Sequence, residues 1–117
     1  MSDCIFCKIA NHEIPSNVVF EDDEVIAFRD LDPQAPTHVL VIPKKHYANI
    51  CDGVPAETLA AMIHAISEVV KAEGLEESGY RVISNAGADA CQTVMHFHMH
   101  VLGGKNLGMG LLPADSE

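Results

Sequence analysis

The sequence predicts an α+β fold: a five-stranded, mainly antiparallel sheet with one long helix and a short N-terminal helix. Two observations support this class. Short β-prone runs lie on both sides of a segment with strong helical periodicity, and turn-like stretches join the runs. The 117 residues, 48% of them hydrophobic, suffice for one domain with a single core. We expect that domain over 1–117, with its core over about 4–104 and an irregular C-terminal tail over 105–117.

The first half of the chain predicts the short helix and three strands. Residues 4–10 can form the helix, because their apolar residues have core-facing spacing. Residues 18–20 and 25–28 are β-prone runs separated by acidic residues, which is typical of a hairpin. A third strand is predicted over 37–42, and Pro43 ends it.

The second half predicts the long helix over 55–71, followed by two strands over 80–84 and 95–102. Pro55 suits the first helical turn, and Gly74 suits the end of the helix. The apolar residues of this helix form one stripe with a period of about 3.6 residues: Leu59, Met62, Ile63, Ile66, Val69 and Val70.

The charge of the chain excludes several partners. Seventeen acidic and seven basic residues give a formal net charge of −10, which opposes binding to nucleic acid and to anionic membranes. No apolar run is long enough to span a bilayer. The N-terminal sequence does not have the pattern of a secretory signal, so we expect a cytoplasmic location. There the four cysteines would remain thiols or bind metal rather than form disulfides.

Three histidines alternate with apolar residues at positions 96, 98 and 100. On a strand they would share one face, and the apolar residues between them would face the core. An exposed polar face is the weakest interpretation, since such faces normally carry Thr, Lys or Glu. A metal site is a second interpretation, and phosphoryl or nucleotidyl transfer is a third. Imidazole suits transfer, because it is a neutral nucleophile at pH 7 and its bond to phosphorus can be cleaved by water.

The segment His96-Phe97-His98-Met99-His100-Val101-Leu102 resembles the His-x-His-x-His-x-x signature of the histidine-triad (HIT) family, in which x is apolar. The resemblance covers roughly residues 4–104, and the ending Leu102-Gly103-Gly104 resembles the Hint branch, the purine nucleoside phosphoramidases. Further matching segments are Phe28-Arg29-Asp30-Leu31, Pro33-Gln34-Ala35-Pro36-Thr37-His38, Val41-Ile42-Pro43-Lys44, Gly79-Tyr80-Arg81, Asn85 and Gln92-Thr93-Val94.

The resemblance implies a HIT-like fold, a homodimer and an enzymatic activity. The activity is hydrolysis of purine nucleoside 5′-phosphoramidates through a covalent nucleotidyl-histidine, without a catalytic metal. His98 would be the nucleophile. His100 and His38 would contact the phosphate or support His98, and Thr93 would lie near the leaving amine with a hydroxyl able to donate.

The resemblance also implies a nucleotide site. Asp30 would accept hydrogen bonds from the ribose hydroxyls, and Asn85 would bond the ribose–phosphate side. Five apolar residues would form the slot for the purine: Ile5, Phe6, Ile9, Phe28 and Leu31. One departure stands out, because Cys91 occupies a position where the family usually has glycine, so that a Cβ must be accommodated there.

Cys4 and Cys7 form a Cys-x-x-Cys motif, to which His46 and His96 would add two further ligands for Zn²⁺. Some HIT relatives and the related galactose-1-phosphate uridylyltransferases carry a zinc site of this pattern, whereas many Hint proteins lack it. The resemblance therefore implies a structural zinc ion. A redox pair and two buried thiols are the alternatives, and the redox pair ranks last because no strand precedes the motif.

Two other functions remain open. One is a nucleotide- or zinc-binding interaction module with vestigial catalysis, which a phosphoramidate turnover assay would distinguish from an enzyme. The other is a metal-dependent hydrolase that uses the three triad histidines as ligands, and chelation would abolish its activity.

Overall fold

The computed structural model describes residues 3–111, which form one antiparallel sheet and two α-helices. The sheet has the strand order β1-β2-β3-β5-β4. The helices are α1 (Ile5–Ala10) and α2 (Ala56–Ala72), and the strands are β1 (Val18–Glu21), β2 (Val25–Arg29), β3 (Thr37–Pro43), β4 (Tyr80–Ser84) and β5 (Met99–Gly103). This architecture confirms the predicted α+β class with five strands, one long helix and one short helix.

The central strand β3 is buried along its whole length. It pairs with β2 on one side and with β5 on the other, so that Val39 lies opposite Val101. Helix α2 covers one face of the sheet, and α1 covers part of the other face through Phe6 and Ile9. Because both faces are covered, β3 has a continuous apolar run rather than strict alternation.

Helix α2 begins after Pro55 and ends at Ala72, within one residue of the predicted bounds. Glu73 is its C-cap, and Gly74 follows with a φ of +70°, a backbone conformation that glycine adopts without strain. One residue of the predicted stripe is not in the core, since Ile63 is 58% exposed. It lies on the flank of the helix, beside a surface groove that Tyr80 also lines.

The last strand is shorter than predicted, because pairing begins at Met99 rather than near residue 95. The preceding backbone bends, and its polar groups bond elsewhere: the Phe97 N–H donates to the Tyr47 carbonyl at 2.6 Å. The predicted alternation still holds. Phe97 packs in the core beneath α2, whereas His96 and His98 contact Phe6 on the opposite side.

Residues 105–111 contain no helix or strand. The Arg81 guanidinium donates to the Gly108 carbonyl at 2.6 Å and so holds this segment against β4. The rest of the predicted tail, residues 112–117, lies outside the described residues. Within residues 3–111, no helix is both long and apolar enough to cross a membrane.

Candidate active site and metal centre

A cavity of about 300 Å³ opens between α1, the end of β2 and the triad segment. The five residues predicted for the purine slot line it, and Leu31 is almost fully exposed at its mouth. Four of the polar residues predicted for this site also line it: Asp30, Thr93, His98 and His100. Two predicted residues are not in the lining. His38 lies behind His100, and Asn85 follows the end of β4.

Several lining residues were not predicted from the sequence. The segment 14–17 forms part of the wall, and it carries no pattern that indicates binding. Leu40 and Val94 add apolar surface. Leu40 could have been found from the strand pairing, because it lies opposite Phe28 on β2.

His98 is buried with its ring orientation fixed by the backbone. Its Nδ1 lies 2.7 Å from the carbonyl oxygen of His96. A carbonyl only accepts, so Nδ1 carries the proton and Nε2 carries the lone pair. The ring also packs against Phe6, with ring centroids 5.1 Å apart. This arrangement gives His98 a nucleophilic Nε2 at a cavity wall.

His38 and His100 form a hydrogen-bonded pair with an assigned direction. The Gln34 backbone N–H donates to His38 Nδ1 at 3.0 Å, so the proton of the neutral ring is on Nε2. That Nε2–H donates to His100 Nδ1 at 2.8 Å. His100 therefore carries its own proton on Nε2. Burial, with smaller contributions from nearby His98 and His38, lowers the pKa of His100 to about 4. At neutral pH the ring is thus a neutral donor.

Asp30 follows β2, with its carboxylate 3.4 Å from His38 Nε2. Its Oδ1 accepts from the Asp32 backbone N–H at 2.8 Å. Its own backbone N–H donates to the His38 carbonyl at 3.0 Å. These contacts fix the carboxylate at the cavity wall while leaving it partly accessible.

Thr93 lies on a loop that the buried side chain of Gln92 holds in place. The Gln92 amide nitrogen donates to the carbonyls of Ala48 and Val94, at 2.7 and 3.0 Å. Its oxygen accepts from the Gly87 backbone N–H at 2.9 Å. Sequence reasoning assigned Gln92 no role, and only its position before Thr93 could have indicated one. In the structure it positions the loop that carries Thr93.

Cys91 adopts a left-handed backbone conformation, with φ 60° and ψ 39°. Its side chain is exposed. The glycine usual at this position of the family is therefore explained by the backbone conformation rather than by a close approach of neighbouring atoms. The cysteine fits, but at a cost in conformational energy.

A second cluster contains the four predicted zinc ligands. One side-chain ligand atom from each of Cys4, Cys7, His46 and His96 lies within 4.8 Å of the others. Cys4 caps α1, and Cys7 lies in its first turns. His46 follows β3, and His96 precedes β5. Three separate segments of the chain therefore converge on one point.

The distances within this cluster and the tautomer of His96 fit a tetrahedral zinc ion. The sulfur of Cys7 lies 3.3 Å from His46 Nδ1 and 3.5 Å from His96 Nδ1, and the sulfur of Cys4 lies 3.4 Å from His96 Nδ1. Ligands on a tetrahedral zinc with ordinary bond lengths would be about 3.5 Å apart. His96 Nε2 donates to the Pro43 carbonyl at 2.8 Å, so its Nδ1 directs a lone pair at the thiols. These residues fit the ion.

Asp30, His38 and His100 also lie close enough to share a metal, but their hydrogen bonds favour another explanation. The Gln34 N–H occupies the lone pair of His38 Nδ1, so His38 Nε2 holds a proton. It then has no lone pair for a cation in its neutral form. The predicted alternative of a metal held by all three triad histidines does not match the structure of residues 3–111 either. His96 belongs to the cysteine cluster and His100 to the cluster with Asp30 and His38, and His98 is in neither group.

The fold and the histidine arrangement together define a histidine-triad protein. Residues 11–107 match the family model described as the HIT domain, and the chain belongs to this family, whose members include hydrolases and nucleotide-binding proteins. The predicted resemblance and the predicted HIT-like fold are both confirmed.

Three relatives document the similarity. The chain is 48% identical over 107 residues to the purine nucleoside phosphoramidase of Escherichia coli K12, covering 89% of each chain. It is 46% identical over 115 residues to a 14 kDa zinc-binding protein of Zea mays, covering 91% of this chain and 85% of the relative. Among solved structures, a HIT family hydrolase from Clostridium thermocellum matches with a TM-score of 0.91 and 43% identity, over 96% of this chain and 99% of the other.

Proposed function

We propose that this protein hydrolyses purine nucleoside 5′-phosphoramidates through a covalent nucleotidyl intermediate on His98. One observation carries the proposal. His98 Nδ1 donates to the carbonyl oxygen of His96 at a distance of 2.7 Å, so the free lone pair of the ring is on Nε2, at the wall of the cavity. The Escherichia coli relative is named a purine nucleoside phosphoramidase, which supports the same substrate class.

In the first step, the lone pair of His98 Nε2 forms a bond to phosphorus as the phosphorus–nitrogen bond breaks. The departing nitrogen keeps the bonding pair and takes a proton from solvent through the Thr93 hydroxyl, so it leaves as a neutral amine. The His98 ring becomes cationic, and its Nδ1–H bond to the His96 carbonyl stabilises that charge. His100 donates its Nε2–H to a phosphoryl oxygen as negative charge grows there.

In the second step, water attacks phosphorus and the bond to Nε2 breaks. The bonding pair returns to the ring, the proton of the water passes to solvent, and the nucleoside monophosphate is released. His38 keeps His100 in the donating tautomer through both steps. No catalytic metal takes part in this scheme.

The nucleotide would occupy the cavity with its purine in the apolar slot. Asp30 would accept from the ribose hydroxyls, because its carboxylate is the acidic group in the lining. Asn85, which directly follows β4, would bond the ribose–phosphate side from outside this lining. The surrounding histidines are neutral or cationic, so they suit a phosphate despite the negative charge of the whole chain.

Trapping the intermediate tests this function. The protein is mixed with an adenosine 5′-phosphoramidate, quenched, and examined by mass spectrometry of the intact chain and of its peptides. We expect an adenylyl adduct on His98 and at least a thousandfold loss of turnover in His98→Ala, since nucleophiles contribute effects of this order. His64→Ala, which changes an exposed histidine on α2, is the control. Normal turnover by His98→Ala would refute the assignment, and absent turnover by the parent would favour a binding module.

We further propose that Cys4, Cys7, His46 and His96 hold a structural zinc ion. Four protein ligands leave no open position for water, which is typical of structural rather than catalytic zinc. The ion would hold the start of α1 to the segments flanking β3 and β5. It would also anchor His96, whose carbonyl orients His98. The name of the Zea mays relative supports zinc binding.

Metal content tests the zinc proposal. Elemental analysis of protein purified without a polyhistidine tag should give about one equivalent of zinc per chain, and Cys4→Ser/Cys7→Ser should have almost none. Chelation should lower the melting temperature of the parent alone. Cys51→Ser/Cys91→Ser changes the two exposed cysteines and should keep the zinc. A parent that contains no zinc and melts unchanged under chelation would disprove the site.

We also propose that the chain forms a homodimer and works in the cytoplasm. The exposed apolar residues of β4 and α2 support a dimer. The cytoplasm is supported by the four cysteines, which form no disulfide and which a reducing compartment keeps as thiols.

A further inference from the structure

A second cavity, of about 700 Å³, adjoins the first. The two share Ile5, Thr93 and Val94 and therefore meet at the loop that carries Thr93. We call this second cavity the side groove. Its remaining lining residues are Asp3, Cys4, His46 and Met95. None of the triad histidines is among them.

Displacement at phosphorus requires such a space. A nucleophile attacks opposite the bond that breaks, so the leaving amine departs on the side of phosphorus away from His98. The first cavity holds His98 and the proposed nucleotide site, whereas the side groove meets it at Thr93. The thiol of Cys4 and the imidazole of His46, which line the side groove, belong to the cysteine–histidine cluster. A substituent on the leaving nitrogen can extend into the side groove without displacing the nucleotide.

The lining of the side groove indicates the chemistry of that substituent. Ile5 and Met95 are each about half exposed and offer apolar surface, at 47% and 53%. Asp3 supplies a carboxylate, and the part of the chain that the structure describes places no lysine or arginine in the lining of the groove. An amine with an aliphatic stem and a cationic end would pack its stem on the two apolar side chains and direct its charge to Asp3.

We propose that the side groove is the leaving-group subsite and that it favours amines whose aliphatic substituent ends in a positive charge. This proposal rests on the proposed function, because it assigns the second half of the same substrate. Asp3 and Met95 are then specificity-determining residues, and neither takes part in the transfer itself.

Three adenosine 5′-phosphoramidates test the proposal: one that releases ammonia, one that releases pentylamine, and one that releases 1,4-diaminobutane. The last two have substituents of similar length and differ in the terminal charge. We expect kcat/KM for the diamine to exceed that for pentylamine by roughly twofold to fivefold, as an exposed ion pair allows. Asp3→Asn should bring this ratio to about one, and Asp23→Asn, which removes an exposed carboxylate in the β1–β2 turn, should preserve it.

A bulky side chain tests the groove itself. Met95→Trp should reduce kcat/KM at least fivefold for both substituted amides relative to the ammonia-releasing substrate. Met109→Trp, at a position that is 97% exposed in the tail, is the matched control. Unchanged ratios in Met95→Trp would overturn the subsite, and an unchanged diamine preference in Asp3→Asn would overturn its charge selectivity.

Binding measurements separate this proposal from the proposed function. In His98→Ala, which cannot form the intermediate, calorimetric titration gives Kd for the same three compounds. The Asp3 and Met95 substitutions should change the Kd ratios as they change the kcat/KM ratios. If the parent hydrolyses none of the compounds, the proposed function fails, and the Kd ratios still decide whether the groove binds the amine substituent.

Discussion

Backbone groups decide which ring nitrogen carries the proton in three histidines of this site. The Pro43 carbonyl bonds His96 Nε2, and the His96 carbonyl bonds His98 Nδ1. The Gln34 N–H bonds His38 Nδ1. Neighbouring members of one motif therefore present opposite ring nitrogens, so that His96 directs Nδ1 to the thiols while His98 directs Nε2 to the cavity.

His100 should make the stability of the protein depend on pH. Its pKa is lowered to about 4 in the folded protein, whereas a histidine in an unfolded chain titrates near about 6.5. Between these values the unfolded chain binds a proton that the folded protein does not. The free energy of unfolding therefore falls as the pH drops from about 6.5 to about 4. We expect His100→Gln, measured by urea unfolding across this range, to make the decline shallower.

The exposed His64 provides the control for this measurement, and His64→Gln should leave the steeper decline in place. Zinc content is measured at each pH, so that loss of metal is not mistaken for titration of His100. A decline of equal slope in the parent and in His100→Gln would contradict the prediction.

Cys91 should be a site where glycine stabilises the fold. A left-handed backbone costs a residue with a Cβ about 1–2 kcal/mol, and glycine avoids most of that cost while losing more entropy on folding. We expect Cys91→Gly to raise the free energy of unfolding by about 1 kcal/mol in denaturant titrations. Cys51 is also exposed but does not have a positive φ, so Cys51→Gly should destabilise. Destabilisation by both substitutions would show that the Cys91 backbone carries no strain.

At the scale of elements, one carboxylate links α2 to β2 and β3, beside the site residues Asp30 and His38. Glu73, the C-cap of α2, accepts both guanidinium nitrogens of Arg29, at 2.9 and 2.8 Å. It also accepts from the Thr37 hydroxyl at 3.3 Å. Arg29 precedes Asp30, and Thr37 precedes His38. The guanidinium holds the pKa of Glu73 below its ordinary value, and the carboxylate in turn raises the pKa of Arg29.

Glu73→Gln should therefore weaken both stability and substrate binding. The bidentate pair is half exposed on the arginine side, so we expect a loss of about 1–2 kcal/mol in the free energy of unfolding. KM should rise more than kcat falls, because Asp30 loses part of its support. Glu68→Gln, which breaks the exposed pair with Lys71 at 3.8 Å, should cost less than about 0.5 kcal/mol. Equal losses in the two variants would show that Glu73 is an ordinary surface charge.

At the scale of the molecule, β4 is an edge strand that exposes apolar side chains. Tyr80 and Val82 are 49% and 40% exposed on it, and Ile63 of the adjoining α2 is 58% exposed. An open edge with such residues favours pairing with a second copy. We expect light scattering at micromolar concentration to give the mass of a dimer.

Substitutions at the two edges of the sheet test which edge contacts the second copy in the dimer. Val82→Lys on β4 should shift the protein towards monomer. Val18 on β1, at the opposite edge, is also 40% exposed, and Val18→Lys should leave the dimer intact. A parent of monomer mass, or a dimer disrupted only by Val18→Lys, would contradict this assignment.

The sequence by itself predicted the helices and strands and the type of reaction that we propose. Periodicity predicted α2 within one residue, and alternation in the triad segment separated its histidines from its core residues, because both patterns depend on local geometry. The resemblance to the family predicted His98 as the nucleophile, and the Cys-x-x-Cys motif with two histidines predicted a zinc site; both stay predictions.

Only the tertiary structure decided how those residues are used. The tautomers of His38, His96 and His98 depend on backbone groups that folding brings to the rings, and no local pattern records them. The start of β5 shifted to Met99 because its preceding backbone bonds Tyr47 rather than a neighbouring strand. The role of Glu73 was also hidden, since its partners are 36 and 44 residues away in sequence. Local backbone geometry specified the helices and strands, and contacts between residues distant in sequence specified the arrangement of the site.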